Sequence, residues 1–235
     1  VYFQGGNFSK TSPTTIPNKR FIYRIQPNDV LSIRVKSLDP LASNPYNKEA
    51  EGVFNQFSPA SFYVNGYSVN EEGNITLPYV GLLKVANLTL DEVQEAVQKV
   101  IDRAVKNSTV YVSLVSFKVS VLGEVKNPGH YFAYNNQMTI LEALGMAGDL
   151  TGLGNPKNIT LVRQVEKGSE VIAIDLTDPK LMASKYYYLL PNDVVYIQPL
   201  EAKNKRANSN NMLIFFSGIS AIAGVTAIIL NALGN

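Results

Sequence analysis

Thr109-Val-Tyr-Val-Ser-Leu-Val-Ser-Phe-Lys-Val-Ser-Val-Leu122 is a β run that changes phase halfway. Val110, Val112 and Leu114 alternate with polar neighbours, and then Val115, Phe117, Val119 and Val121 take up the other parity. Period-two alternation marks a half-buried strand. A one-residue slip exchanges its two faces, so the reading places a bulge or a domain boundary at Leu114-Val115.

Upstream of the run, Leu88 to Val105 reads as a helix. Thr89 and Glu92 form a capping box, with Leu88 and Val93 as its hydrophobic staple. Val93, Val97, Val100, Ile101 and Ala104 make the predicted buried stripe. Before it, Gly73-Asn74 signals a tight turn between short strands. Glu71 and Glu72 flank that turn and read as solvated charges rather than a general acid/base pair. Residues 37–61 carry Pro40, Pro45 and Pro59 and read as a long loop, functional or mobile. Leu31, Ile33 and Val35 alternate with Ser32, Arg34 and Lys36 as a strand. The turn Pro27-Asn28-Asp29 feeds it, since Pro presets φ and Asn and Asp bond their own backbone. Residues 7–19 read as a linker. Val1-Tyr-Phe-Gln-Gly-Gly6 resembles a protease-cleavage remnant of recombinant expression, so residues 1–20 are set aside as scar and linker.

Downstream, Gly123 to Gly129 is a turn, and His130 reads as a turn or strand residue, not a catalyst. Thr139 and Glu142 repeat the capping box at the head of a second helix. The glycine-rich stretch Gly145 to Gly154 follows a helix and lacks the Gly-Lys-Ser/Thr ending of a phosphate loop. Helix C-capping by Gly145 or Gly148 explains it better. Strands are expected at Ile159–Arg163 and Val171–Ile174, then a linker with Pro179. Pro191-Asn192-Asp193-Val-Val-Tyr-Ile197 echoes Pro27-Asn28-Asp29-Val-Leu-Ser-Ile33. The repeated turns and boxes suggest two α+β units. Both turns read as structural, and on this basis Asp193→Ala is expected to cost about 0.5–2 kcal/mol, like a lost cap.

From Ala207 to Asn235 no residue is charged. Met212 to Leu230 rises about 28 Å as a helix, close to the roughly 30 Å of a bilayer core. Residues 212–234 are therefore expected to cross a membrane. Ser217, Ser220, Gly224, Ala227, Asn231 and Gly234 recur at spacings of three and four, forming a small, weakly polar seam. Phe215, Ile219, Ile222, Ile229 and Leu233 lie opposite, facing lipid. An ordinary anchor and an assembling or pore-lining helix both fit this pattern. Residues 201–211 form a polar neck whose Lys203, Lys205 and Arg206 suit anionic headgroups.

The chain has 235 residues, with 21 Lys+Arg against 19 Asp+Glu, so no clustered basic face points to nucleic acid. Thirteen Tyr and ten Phe with no Trp are an aromatic supply typical of β-rich domains. Cys is absent and His130 is the one histidine. Thiol chemistry, disulfides and Cys- or His-cluster metal sites are thereby excluded, and no cofactor or metal is expected. No carboxylate pair suits glycan hydrolysis, so the chain is not expected to be an enzyme.

These motifs together resemble the outer-membrane polysaccharide export (Wza-type) family. Tyr23-Arg-Ile-Gln-Pro-Asn-Asp-Val-Leu-Ser-Ile33 looks like the opening of its export domain. Gly73-Asn-Ile-Thr-Leu-Pro-Tyr-Val-Gly81 followed by Leu88-Thr-Leu-Asp-Glu92 looks like that domain's core signature. Val121-Leu-Gly-Glu-Val-Lys-Asn-Pro-Gly129, Thr139-Ile-Leu-Glu-Ala143 and Ala147-Gly148 are similar to the soluble-ligand-binding β-grasp (SLBB) module. The resemblance covers roughly residues 21–200. It implies an α+β chain of two small mixed α/β modules, an export domain at 21–115 and a β-grasp-like SLBB domain at 116–200, followed by a C-terminal transmembrane helix.

The resemblance further implies a lipoprotein of the Gram-negative outer membrane with its bulk in the periplasm, its lipid-bearing cysteine lying ahead of this sequence. About eight copies would form a ring whose C-terminal helices line a pore for capsular or exopolysaccharide. An inner-membrane copolymerase would hand the polymer on. One β-grasp module where some members carry more implies a shorter channel. The competing expectation is a membrane-tethered β-grasp module that binds a glycan or peptide without a pore. Stoichiometry separates the two, because a pore needs a closed ring and a tether works alone.

Overall fold

A computed structural model describes residues 2–4, 8, 11–18, 21–47, 65–165 and 168–201. The expected membrane helix at 212–234, with its seam and lipid-facing residues, lies outside the described residues, as do positions 202–211 of the neck and 48–61 of the long loop. Among the described residues no helix is long and apolar enough to cross a membrane.

The chain is mixed α/β. Strand β1 (Val30–Ser37) buries Val30, Leu31, Ile33 and Val35 and leaves Arg34 and Lys36 exposed. It is the centre of a three-stranded antiparallel sheet, between β2 (Tyr67–Ser68) and β5 (Ser108–Leu114). A hairpin of β3 (Asn74–Leu77) and β4 (Gly81–Lys84) lies between β2 and the long helix in sequence.

The proline-bearing stretch after β1 is not all loop. Asp39 accepts from Leu41 N and Ala42 N and starts a short helix, α1 (Pro40–Ser43), followed by a 3-10 turn at Asn44–Tyr46. Asp before Pro is a helix start, the proline sitting where its missing N–H costs nothing. Asn47 then accepts from Val35 N and donates to Val35 O, at 2.8 and 3.0 Å, pairing with β1 as a strand residue would.

Helix α2 (Leu90–Ile101) ends earlier than the apolar stripe. Val93, Val97 and Ile101 are fully buried, but after Ile101 the chain tightens into turns. Val105 is therefore buried while Ala104, which the stripe placed inside, is exposed. Gln98 of α2 accepts from Val110 N at 2.8 Å and donates to Ser108 O at 3.0 Å. One amide thus occupies the free edge of β5, a place where exposed ladder groups invite unwanted pairing.

The β run breaks at Val115–Phe117, and its second half, β6 (Lys118–Gly123), joins a different sheet. That sheet has the order β10-β9-β12-β6-β7, with β7 at Gly129–Phe132, β9 at Gly154–Val165, β10 at Gly168–Ile174 and β12 at Val194–Pro199. Only the β12–β6 pair is parallel. The β9–β10 hairpin is longer than its apolar cores suggest, because polar Gln164 and Ser169 continue the ladder without alternation. Helix α3 (Ile140–Met146) buries Ile140, Ala143 and Leu144. Strands β8 (Met138–Thr139) and β11 (Tyr188–Leu189) pair beside it. The expected linker around Pro179 holds a 3-10 turn, Pro179–Ala183, capped by Asp178.

Two of the N-terminal residues set aside above bond this second unit. Tyr2 donates its hydroxyl to Asp149, and Phe3 N bonds Leu176 O at 3.0 Å.

Candidate functional site

The two Pro-Asn-Asp turns have the same hydrogen-bond geometry. In each, proline is followed by asparagine at positive φ, 71° at Asn28 and 66° at Asn192. That is the backbone of a type II turn, with Pro27 and Pro191 at the position where their fixed φ helps. Asp29 N donates to Gln26 O at 3.2 Å while Asp29 Oδ2 accepts from Gln26 N at 2.9 Å. Asp193 N donates to Leu190 O at 3.1 Å and its Oδ2 accepts from Leu190 N at 2.7 Å. Asn28 N and Asn192 N each bond a distant strand, at Val69 O and Lys118 O.

The twins differ in what faces the carboxylate. Asp193, fully buried, takes a bidentate guanidinium: Arg163 Nε to Oδ1 at 3.0 Å and Nη2 to Oδ2 at 2.7 Å. Asp29, also buried, meets no cation among the described residues. Tyr23 donates its hydroxyl at 2.9 Å, and Ser116, in the link between the sheets, donates at 3.3 Å while accepting from Val30 N.

Burial pushes the Asp29 carboxyl above the ordinary carboxylate range, and the bonds from Gln26, Tyr23 and Ser116 offset only part of that shift. The sign follows from linkage: the folded chain holds this proton more tightly than the unfolded chain does. Its contribution to stability is complete below the unfolded value of about 3.9 and is lost as pH rises through the folded value. The unfolding free energy of the wild type, measured against Asp29→Asn from pH 7 down to pH 4, should therefore rise on acidification. A flat difference, or one that falls, would contradict the tighter hold of the folded chain on this proton.

Both capping boxes close. Thr89 Oγ1 accepts from Glu92 N, and Glu92 accepts from Thr89 N at 2.7 Å. Thr139 Oγ1 accepts from Glu142 N, and Glu142 Oε2 accepts from Thr139 N at 2.7 Å. Of the two candidate C-cap glycines, Gly148 takes the left-handed position at φ +76°. Asp149 N bonds Leu144 O and Gly148 N bonds Gly145 O, the two bonds of a Schellman motif. Gly145 remains inside the helix, and a Cβ built there would meet nothing within 4 Å.

The register of β6 on β7 does what sequence spacing does not announce: Ser120 lies opposite His130, with Oγ 2.9 Å from Nδ1. Nucleophilic catalysis needs a third group to orient the imidazole, and among the described residues no carboxylate bonds it. Glu71 and Glu72 are exposed in their turn, where the Lys84 ammonium contacts the Glu72 carbonyl oxygen.

Two concave regions lie among the described residues near these turns and caps. A cleft of about 400 Å³ separates the Gln26–Pro27 and Glu71–Gly73 turns from Gln164 and Val165 of β9. A groove of about 430 Å³ lies over α3. Its walls are Phe132 at the end of β7, Tyr134, Asn135 and Gln137 of the next loop, Met138 of β8, and Glu142, Gly145 and Met146 of α3. The helix residues are three and four apart, so they share one face. Sequence reading singled out Glu142 as a cap and Gly145 as a terminator, and missed the groove they border.

Residues 18–115 match the family model described as polysaccharide biosynthesis/export protein, and residues 117–197 match the SLBB domain. The EPS I polysaccharide export outer membrane protein EpsA of Ralstonia nicotianae is 36% identical over 149 residues, covering 60% of this chain and 38% of the relative. EpsA of Ralstonia solanacearum is 34% identical over 135 residues, or 54% and 35%. The exopolysaccharide production protein ExoF of Rhizobium meliloti is 30% identical over 138 residues, or 57% and 30%. The matches span only about a third of these relatives' own length.

Proposed function

Because the chain belongs to the polysaccharide export family and carries an SLBB domain, we propose that it is a subunit of an outer-membrane channel through which an extracellular polysaccharide leaves a Gram-negative cell. The observation that carries this reading is one of order. An export module and an SLBB module occupy residues 18–197, and a run without charge from Ala207 to Asn235 follows them.

In this reading residues 21–115 and 116–200 are the two modules and stand in the periplasm. The N-terminus of the native protein carries lipid, and an inner-membrane copolymerase delivers the polymer. The chain binds and conducts, without catalysis. About eight copies close into a ring, and their helices at 212–234 form the pore. Ser217, Ser220, Gly224, Ala227 and Asn231 face the lumen or a close helix contact. Phe215, Ile219, Ile222, Ile229 and Leu233 meet lipid or neighbouring helices. Cost decides the orientation, because an unpaired amide such as that of Asn231 costs several kcal/mol in hydrocarbon and little in a wet lumen.

Mass measurement in mild detergent should give one discrete assembly of about eight subunits, closed as point-group symmetry favours. Single cysteines introduced into this Cys-free chain should react with a water-soluble thiol reagent at 217, 220, 224 and 231. Positions 215, 222 and 229 should be protected. A monomer that persists at high concentration in several detergents would sink the ring, and protection at every position would reduce the helix to an anchor.

A further inference from the structure

We propose that the groove over α3 seats neutral or amine-bearing sugar residues of the exported polymer, an inference that rests on the export reading above. The first observation is Gly145. Glycine inside a helix costs about 1 kcal/mol relative to alanine. Here the left-handed cap belongs to Gly148, and no neighbour crowds the place of a Gly145 Cβ. Neither backbone conformation nor internal packing requires glycine at this position. What its missing side chain provides is an open floor to the groove.

The walls are chemically mixed in a way that suits a sugar ring. Tyr134 is 89% exposed beside the groove and Met146 is 40% exposed, while half-buried Phe132 and buried Met138 complete the apolar lining. Exposed rings with a polar tip offer a flat apolar face to the C–H side of a pyranose and a hydroxyl to its rim. Asn135 and Gln137 are exposed, and their amides make no hydrogen bond among the described residues. Each carries two donors and an acceptor, the pairing that vicinal hydroxyls need. Glu142 commits Oε2 to the helix cap, and its Oε1 makes no hydrogen bond among the described residues.

Charge narrows the class. Among the described residues Glu142 is the one charged side chain in the lining, and no Lys or Arg borders the groove. A uronate, sulfate or phosphate on the polymer would face a carboxylate with no cation to answer it. A neutral residue meets no such opposition, and an amino sugar gains a partner. The volume, about 430 Å³, lies in the range of small-molecule sites.

The test uses the full chain in detergent and saturation-transfer NMR with three probes: cellohexaose, a chitosan hexamer and hexagalacturonate. Cellohexaose or the chitosan hexamer should bind at least tenfold tighter than hexagalacturonate. Tyr134→Ala and Gly145→Leu should each weaken that binding at least tenfold. Gly145→Leu should hold or raise the melting temperature, since leucine favours the helix and enters open space. Glu142→Gln, which keeps a capping box, should weaken the chitosan hexamer more than cellohexaose.

Hexagalacturonate binding as tightly as the others would overturn the proposal, and so would binding that survives both Tyr134→Ala and Gly145→Leu, or no binding of any probe. Deletion of the gene in a producing cell tests the export reading separately. Surface polysaccharide that persists after deletion overturns export and leaves groove binding standing. Lost export with no probe binding does the reverse.

Discussion

Asp193→Ala should lower the unfolding free energy by about 3–5 kcal/mol, the range for breaking a buried ion pair from one side. The Asp193 side chain is fully buried and that of Arg163 is 7% exposed. Removing the carboxylate leaves the guanidinium with Tyr188 O, at 3.1 Å, as its remaining hydrogen-bond partner among the described residues, and leaves Leu190 N–H without its acceptor. The cap analogy of about 0.5–2 kcal/mol falls short because it counts the turn and not the stranded cation. Urea unfolding of wild type, Asp193→Ala, Arg163→Met and the double variant measures the difference. The double variant should be more stable than the sum of the singles implies, because no buried charge is left alone. A loss below about 1 kcal/mol in Asp193→Ala would mean that Arg163 reaches water, and the pair would then be an ordinary surface contact.

Gly123→Ala should be comparably damaging, at about 2–5 kcal/mol, for a steric reason. Gly123 ends β6 at φ +86°, a conformation that costs a side-chain-bearing residue roughly 1–2 kcal/mol. A Cβ there would lie 2.2 Å from Ile197 O, 3.0 Å from its carbonyl carbon and 3.1 Å from its nitrogen. These are backbone atoms of β12, the central strand, and cannot swing aside as a side-chain tip can. The same Ile197 O accepts from Glu124 N at 3.0 Å, so moving it breaks a bond as well. Forced overpacking adds about 1–3 kcal/mol. Gly81 is the control: its φ is +87°, but a Cβ there meets nothing within 4 Å. Gly81→Ala should therefore lose only the conformational part. Equal melting of the two variants would show that β12 yields to the added methyl.

What could be read from the sequence was chemistry completed within four residues. Thr89 reaches Glu92, Thr139 reaches Glu142, and each Asp of a Pro-Asn-Asp turn reaches back three positions. Strand alternation is also local, so β1 and the two halves of the Thr109–Leu122 run stand out. Where local signals competed, the reading was less sharp. Prolines concealed α1, although Asp39 before Pro40 was a start signal. The stripe ran on through Ala104, although the helix stops at Ile101. Gly145 and Gly148 could not be told apart until the Schellman bonds chose Gly148.

By itself, then, the sequence determined the main strands and the two capped helices, their caps and turns, the absence of thiol chemistry and the uncharged run after Ala207. Tertiary structure alone decided which strands became neighbours. It set β12 between β9 and β6, brought Arg163 to Asp193 across thirty positions and laid Ser120 against His130. It also turned a helix cap, a helix glycine and a loop tyrosine into one groove. The reason is physical: a capping box or a turn forms its own bonds whatever surrounds it. A buried ion pair or a groove exists only where packing of the whole core brings distant residues together, and no local residue pattern records that distance.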